Sequence, residues 1–484
     1  MRSAVVIGMA LLLAACELAP THSRPDLPTE ASYSTDYSGD VNAGTRAPAI
    51  PWNEFFVDPR LQGLVAGALE HNRDLVANVA RIDEARGLYR VQRADRYPTI
   101  RIDAVATRNR IGAGSVASSD TGVDGGAGTG GSVTATSPTT VERYSAAVGT
   151  SAFELDFWGR VRDLSTAARA QYLATVQATR AFQLSLIRDV ATAYLDVLEA
   201  NERIRLAEAT LESREHGLRI AQRRREAGVT SALEFYQAES LLTQAQTDLA
   251  AVRLTKAQAD TFLINLIGGR APQNLPDALP LGQQTSGTAL AAGLPSELME
   301  SRPDILAAEE QLRAARANIG AARAAFFPSI TLTGSYGYAS TDLDNLVGED
   351  RLSWSFGPTI RFPIFDFGRN KGNLSVARAR ENIAVASYER TIQTAFKEVA
   401  DTLAGRRYLA DQVAAQERGT AAQRRIADLA QKRYREGVVS YLEVLDAERS
   451  LFSAEQALLQ VRRAEAANLV ALYVALGGGQ LTSI

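Results

Sequence analysis

The chain of 484 residues has few of the side chains from which catalytic, metal and nucleic-acid sites are built. Its one cysteine permits no intramolecular disulfide and excludes a zinc site of the multi-cysteine kind. Its three histidines leave little material for metal binding or acid–base chemistry. The formal net charge of −3 is without the basic excess of nucleic-acid binders. The composition therefore gives no indication of an enzyme or of a nucleic-acid-binding protein.

Long apolar runs are also scarce, and the informative one lies at the N-terminus. Residues 4–13 are apolar and follow a basic start, but about ten residues are too few to cross a hydrocarbon core. They predict a secretory signal peptide over residues 1–15. The motif Leu13–Cys16 resembles a bacterial lipobox. This resemblance implies a diacylglycerol on the Cys16 thiol, and Glu17 in place of Asp implies delivery to the outer membrane. The alternative is a chance cysteine after an ordinary signal peptide.

Most of the remaining chain is an internal repeat. Tyr97–Ile100 is echoed by Phe327–Ile330 at an offset of 230 residues, and later matches share an offset of 209. The two copies cover about 72–269 and 302–478. Residues 111–140, which are rich in Gly, Ser and Thr, absorb the difference and predict a flexible loop. The size of the repeat indicates a duplicated half-molecule and not a solenoid unit.

Each copy predicts a helix, two strands, a long helix, a turn and a further helix. Strands are predicted by alternation of apolar and polar residues at 97–107, 328–338 and 352–362, and a fourth strand is predicted at 144–156, where the alternation is poorer. A water-soluble sandwich would also alternate, but strands of about ten residues with aromatic ends on the apolar face fit a transmembrane barrel. Four strands do not close such a barrel, so several chains have to contribute.

The predicted helices include two that are unusually long. One runs from Gly159 to the turn before Gly228 and the other from Gly368 to the turn before Gly437, and each has about 65 residues and could reach about 100 Å. Shorter helices are predicted at 58–96, 231–267, 302–326 and 440–475. The first long helix has two apolar stripes, which indicate neighbours on both sides. The stripes are Leu184, Ile187, Ala191, Tyr194 and Leu198, and Leu186, Val190, Ala193 and Val197.

The turn after each long helix has the same sequence pattern. Gly228 and Gly437 are suited to the left-handed conformation that ends a helix. A Ser-x-x-Glu follows each glycine and predicts a capping box, in which the serine hydroxyl accepts from the N3 amide and the glutamate reaches back. The serine–glutamate pairs are Ser231 with Glu234 and Ser440 with Glu443.

The lipobox, the repeat, the strands and both turns together resemble the TolC-like outer-membrane factors, in the lipoprotein (NodT-like) branch of the outer-membrane efflux proteins. The resemblance implies an α+β membrane protein, a homotrimer with a twelve-stranded outer-membrane β-barrel continued by a periplasmic α-helical barrel. It implies a lipidated tether over 16–50 and β-barrel hairpins over 97–156 and 327–363. The helical-barrel and equatorial segments would be 51–96, 157–326 and 364–478.

The resemblance also implies function and partners. The chain would be a passive duct for small molecules such as drugs and toxic compounds, anchored by lipid in the outer membrane of a Gram-negative bacterium. It would dock on a periplasmic adaptor protein and an inner-membrane pump, usually of the resistance-nodulation-division type. No catalytic residue, metal or cofactor is expected apart from the lipid on Cys16. The alternative is a structural or adhesive trimeric lipoprotein without an open lumen.

Site residues follow from the resemblance position by position. The adaptor-docking tips would be Gly228, Val229, Thr230, Ser231, Gly437, Val438, Val439 and Ser440. The periplasmic gate would be Glu234, Tyr434, Glu443 and Asp446. Val439 stands where one type of family member has an arginine in an ionic lock, so an equivalent lock needs Arg433 or Arg435. Threefold repetition of Glu443 and Asp446 places carboxylates around an aperture, and such a ring favours cations.

Overall fold

The computed structural model describes residues 18–25, 28–30, 33, 44–113, 116–118, 132–134, 137–269, 275–285, 290–291 and 295–479. The predicted signal peptide, Cys16 and the middle of the 111–140 segment lie outside the described residues. The helices are α1 Trp52–Phe55, α2 Pro59–His71, α3 Arg73–Ala94, α4 Arg160–Glu226, α5 Ala232–Ile267, α6 Leu298–Ser301, α7 Pro303–Ala324, α8 Arg369–Arg435 and α9 Tyr441–Ala475. The strands are β1 Thr45–Arg46, β2 Arg101–Ile111, β3 Val116–Ser118, β4 Ser132–Thr134, β5 Thr139–Glu154, β6 Leu290–Ala291, β7 Ser329–Ser340 and β8 Leu352–Arg361.

The chain divides into two compact units. One contains 1–25, 82–175 and 308–388, and the other contains 26–81, 176–307 and 389–484. No helix among the described residues is both long and apolar enough to cross a membrane.

The first unit contains a four-stranded antiparallel sheet in the order β2-β5-β7-β8. One face is apolar and exposed: Tyr336 lies opposite Trp354 across β7 and β8, and both side chains are more than half exposed. The other face is polar, and the hydroxyls of Ser335 and Ser355 are 2.8 Å apart. An apolar face turned outward is the pattern of a lipid-facing strand.

The predicted repeat is confirmed. Helices α4 and α8 have 67 residues each and begin 209 positions apart. The same contact also recurs with different side chains in the second unit. Asn72 donates to the Leu266 carbonyl at 2.8 Å, and Arg302 donates to the Ala475 carbonyl at 2.9 Å. Asn72 and Arg302 occupy equivalent positions of the two copies, and so do Leu266 and Ala475. Both copies therefore have a side-chain donor to the same backbone carbonyl position, but the donor residue differs.

Three details of the sequence prediction were wrong. The helix expected over 58–96 is broken at Asn72, whose side chain accepts from the Leu75 amide at 2.9 Å and starts a new helix. Part of the loop expected over 111–140 is the strand pair β3 and β4. Strand β5 starts earlier than predicted, at Thr139, and its pairing shifts between Thr150 and Phe153. This irregularity explains why its sequence alternates poorly.

Residues 45–58 pack against the rest of the second unit. Strand β1 pairs in parallel with β6. The Tyr473 ring stacks on Phe55 with centroids 4.2 Å apart, and its hydroxyl donates to the Ile50 carbonyl at 2.8 Å. The buried Tyr194 hydroxyl donates to Asp58 at 2.8 Å. Buried tyrosines therefore hold residues 50–58 in the core of the second unit.

Replacing Gly268 by alanine is expected to destabilise the second unit more than replacing Gly269. Both glycines have φ of 98°, a conformation that costs an alanine about 1–2 kcal/mol. A Cβ at Gly268 would also lie 2.3 Å from the His71 carbonyl oxygen, whereas one at Gly269 meets nothing within 4 Å. We expect Gly268→Ala to cost about 1–3 kcal/mol beyond Gly269→Ala. Denaturant unfolding of the two variants measures the difference, and equal losses would contradict the close approach.

Candidate gate at the helical turns

The two glycine turns have nearly identical backbones. Gly228 and Gly437 have φ of 74° and 76°. The Gly228 amide donates to the Arg225 carbonyl, and the Gly437 amide donates to the Tyr434 carbonyl, at 2.9 and 3.0 Å. The left-handed helix ends expected from sequence are therefore present at both turns.

The predicted capping boxes form only in part. At the first turn the Glu234 amide donates to the Ser231 hydroxyl at 3.5 Å, but the Glu234 carboxylate accepts from the Thr230 hydroxyl. At the second turn Ser440 forms no side-chain cap. The prediction of a capping box at that turn was wrong. The Glu443 carboxylate does not reach back to cap α9, because it pairs with Arg433 of α8.

Glu443 and Asp446, the two acidic residues predicted for the gate near the second turn, are paired with arginines of their own chain. Arg433 contacts Glu443 at 2.9 Å, and Arg449 contacts Asp446 at 2.5 Å. Of the two candidates for a lock, Arg433 therefore reaches an acidic gate residue, whereas Arg435 donates to Gln431 at 3.1 Å. All four paired side chains are about half exposed or more, so each ion pair is individually weak. Because an arginine neutralises each of these two carboxylates, we expect the aperture to prefer cations less strongly than the sequence suggested.

Tyr434 connects the two helical hairpins, of which one is formed by α4 and α5 and the other by α8 and α9. Arg224 of α4 donates to the Tyr434 hydroxyl of α8, and its guanidinium carbon lies 5.3 Å from the centre of the Tyr434 ring. We call this contact the Arg224–Tyr434 latch. The Tyr434 ring also lies 5.1 Å from the ring of Tyr441 in α9. The latch combines a charge-assisted hydrogen bond with a cation–π contact.

A second contact, the ion pair of Arg214 and Glu448, joins α4 to α9. Arg214 contacts Glu448 at 2.6 Å, and the Arg214 side chain is only 6% exposed. Burial raises the pKa of Glu448, although the charge of Arg214 opposes the shift. Burial, with a smaller effect of the Glu448 charge, raises the pKa of Tyr441 to about 12. Tyr441, the first residue of α9, therefore stays neutral at physiological pH and packs against the buried cluster of α8 and α9 residues that includes Ala430 and Val444.

The predicted docking positions lie at the two turns. Gly228, Val229 and Ser231 are exposed, as are Gly437, Val438 and Ser440, while Thr230 and Val439 are half-buried. Of the residues predicted for the gate, Tyr434 and Glu443 flank the second turn, whereas Glu234 accepts a hydrogen bond from Thr230 of the first turn. The exposed valines leave an apolar surface at each turn.

Sequence reasoning missed several charged residues of this site. They are Arg214, Arg224, Glu448 and Arg449. The repeat offset of 209 contained the signal for one of them, because Arg224 is the equivalent of Arg433. No local pattern indicates the Arg214–Glu448 pair, whose members are 234 residues apart in sequence.

Comparison with known proteins identifies close relatives over nearly the full length. The profile of the family described as outer membrane efflux protein matches residues 64–269 and 294–478. The solvent efflux pump outer membrane protein SrpC of Pseudomonas putida is 42% identical, over 97% of this chain and 96% of its own. The cation efflux system protein CusC of Escherichia coli K12 is 40% identical, over 97% and 98%.

Solved structures agree with the sequence relationship. The structure of the MtrE outer membrane channel of Neisseria gonorrhoeae in its open state superposes with a TM-score of 0.84. Its sequence is 36% identical, and the match covers 96% of this chain and 98% of that chain. A membrane protein of Pseudomonas aeruginosa superposes with a TM-score of 0.86 at 39% identity, over 96% of this chain and all of that one.

Proposed function

Because the chain belongs to the outer membrane efflux protein family, it is the outer-membrane channel of an efflux system, and we propose that it is a passive duct that performs no chemistry of its own. In this proposal its periplasmic end docks on an adaptor protein, which links it to an inner-membrane pump. The pump supplies the energy, and the channel requires no cofactor.

The open edges of the sheet carry this proposal. Within the described residues, the outer edges of β2 and β8 have no partner strand. Unpaired backbone groups are not stable in a bilayer, so each edge has to pair with another copy. The protein is accordingly a homotrimer, in which three four-stranded sheets close a twelve-stranded barrel that an α-helical barrel continues. A closed barrel of this size leaves a lumen, which a purely adhesive lipoprotein does not need.

The outer membrane location follows from the family, and the lipid anchor is part of the proposal. The lipobox Leu13–Cys16 supports a diacylglycerol on the Cys16 thiol. Mass spectrometry of the mature N-terminal peptide tests it, because an unmodified thiol would exclude the anchor.

We further propose that the periplasmic gate lies at the two turns and includes Glu234, Tyr434, Glu443 and Asp446, with Gly228–Ser231 and Gly437–Ser440 as the adaptor-docking tips. The Arg224–Tyr434 latch supports the gate, because it joins the hairpins at the level of the turns. The exposed Val229 and Val438 support adaptor docking, because exposed apolar side chains are typical of interaction surfaces.

The cargo is proposed to be set by the pump and not by this chain. Relatives of nearly equal identity are named for solvent efflux and for cation efflux. Since 42% and 40% identity accompany such different cargoes, the duct accepts several classes of small molecule.

Conductance of the purified trimer in planar bilayers tests the duct and the gate together. We expect a small conductance with weak cation preference in the parent protein, because Glu443 and Asp446 are each paired with an arginine. The variant Glu443→Gln/Asp446→Asn leaves Arg433 and Arg449 without these carboxylates. Its selectivity is expected to reverse toward anions.

A charge-neutral control separates the local effect from a change in fold. Adding Arg433→Gln and Arg449→Gln to the double variant is expected to return the selectivity to a weak preference. Unchanged selectivity in both variants would retain the duct and move the constriction elsewhere. The adhesive alternative would be supported if folded trimers of the parent and of both variants did not conduct, and if removal of the latch by Arg224→Ala did not produce conductance either.

A further inference from the structure

Residues 18–25 contact α7, with the chain running antiparallel to the helix. Arg323 donates to the Leu18 carbonyl at 2.7 Å, and Arg316 donates to the Ser23 carbonyl at 2.6 Å. Farther along, Arg24 contacts Glu309 at 3.2 Å. These contacts follow α7 from residue 323 to residue 309, a helical rise of about 21 Å. We call residues 18–25 the strap.

The buried carboxylate of Glu309 is the centre of the contact. Its side chain is 3% exposed, and it accepts from His22 Nε2 at 3.0 Å and from Arg24 Nε at 3.3 Å. The other ring nitrogen of His22, Nδ1, lies 3.1 Å from Arg316 Nη1. A guanidinium only donates, so Nδ1 accepts and the imidazole proton is on Nε2, directed at Glu309. The strap therefore satisfies a buried charge with specific donors.

The charge of Glu309 depends on these partners. Burial alone would raise the pKa of the Glu309 carboxyl, but the hydrogen bonds from Arg24 and His22 and the charge of Arg313 outweigh burial and lower it. Two of these three partners belong to the strap. If the strap left, Glu309 would remain buried with its charge less compensated, which is unfavourable.

The strap also lies at a junction between helices. Arg316 donates through Nε to Glu381 of α8 at 3.0 Å while its Nη1 holds the Ser23 carbonyl. At Gly320 a Cβ would lie 2.9 Å from Ala19, so the strap approaches the helix backbone closely where the side chain is absent. These contacts distinguish the strap from a flexible linker, which has no fixed partners.

The first strap residue lies near the end of α7. Arg323 is the penultimate residue of that helix, and β7 begins at Ser329. Between them Phe326 and Phe327 are partly exposed, and Phe327 stacks on Trp158 at 4.6 Å. Aromatic residues at strand ends are typical of the membrane–water interface. Cys16 precedes Leu18 by two residues, which reach at most about 7 Å.

We propose that the strap is an intramolecular ligand of α7, recognised by Glu309, and that this docking fixes Leu18, two residues after the proposed lipid attachment point, near the end of α7. The inference rests on the lipid attachment given under Proposed function. The lipid anchor proposed on Cys16 is then restrained near one end of α7, whereas a flexible linker would leave its position unrestrained.

Spin labelling of the intact trimer tests the strap. Thr21 is exposed, so Thr21→Cys carries a nitroxide without displacing a strap contact. We expect a mainly immobilised spectrum in this background. Adding His22→Ala/Arg24→Ala, which leaves the helices untouched, is expected to remove most of the immobilised component. Adding Glu309→Gln on the helix side is expected to have the same effect.

The matched control is Glu310→Gln. This substitution removes the same charge one position away, but Glu310 pairs with Arg313 at 2.6 Å and not with the strap. It is expected to keep the immobilised spectrum. A mobile label in the parent background, or equal mobility in all four proteins, would overturn the proposed docking.

Mass spectrometry of the same samples separates this inference from the lipid proposal. A lipidated Cys16 together with a mobile label would exclude the strap and retain the anchor. A free Cys16 thiol, seen as a second nitroxide on each chain, would exclude the anchor. Loss of the immobilised signal in the strap variant would still establish docking in that case, since the Cys16 label is common to all variants.

Discussion

Removing Arg224 is expected to raise the open probability of the purified channel by up to about 100-fold. The Arg224–Tyr434 latch joins α4 to α8 through a hydrogen bond and a cation–π contact. At a half-exposed site the pair contributes about 1 kcal/mol per chain. Three copies in the trimer contribute about 3 kcal/mol, which corresponds to a factor of about 100 between closed and open states. Single-channel recording of Arg224→Ala in planar bilayers measures the change.

Arg225 provides a matched control for the latch. It is the next residue of the same helix, but its guanidinium lies 4.9 Å from the Phe235 ring, within its own hairpin. Arg225→Ala removes the same charge at the same level and is expected to change the open probability by less than tenfold. Tyr434→Phe keeps the ring and loses the hydroxyl, so its effect is expected to be intermediate. Equal effects of Arg224→Ala and Arg225→Ala would show that charge alone, and not the latch, controls the gate.

A charge on the apolar face of the sheet is expected to abolish assembly in the membrane. Phe356 lies in the middle of β8 and is 67% exposed on that face. An arginine on the lipid side near the midplane costs about 2–4 kcal/mol per chain, or about 6–12 kcal/mol in a trimer. This cost is comparable to the entire stability of a folded domain. Phe356→Arg is therefore expected to leave little heat-resistant trimer in the outer-membrane fraction.

Ser355→Arg is the control for this substitution. Ser355 is the neighbouring residue on the opposite, polar face, where its hydroxyl lies 2.8 Å from that of Ser335. Inside a water-filled lumen the new charge stays hydrated, and the loss of one exposed hydrogen bond is small. Trimer yield is expected to stay near that of the parent. A greater loss with Ser355→Arg than with Phe356→Arg would reverse the assignment of the two faces.

The sequence by itself determined the features that repeat over short distances. The alternation around Tyr336 and Trp354 indicated strands with one apolar face, because side chains alternate along a strand whatever its neighbours are. The double stripe on α4, which includes Ile187 and Val190, indicated contact on two sides, and both residues are fully buried. Gly228 and Gly437 indicated the helix ends because few other residues adopt their conformation at low cost. The offset between the copies gave the duplicated architecture.

Only the tertiary structure decided which side chains meet. Asn72 lies within the helix predicted over 58–96, but it separates α2 from α3. Its side-chain oxygen caps α3 by accepting from the Leu75 amide, and its side-chain nitrogen donates to the Leu266 carbonyl. Glu443 is the third residue after Ser440, as in a capping box, but Arg433 lies close enough to pair with it instead. The strap is a polar segment that its composition marks as a linker, yet Glu309 holds it from 285 residues away. Local periodicity fixes backbone geometry, whereas the partner of a charged side chain depends on which distant groups the packed helices bring within about 3 Å.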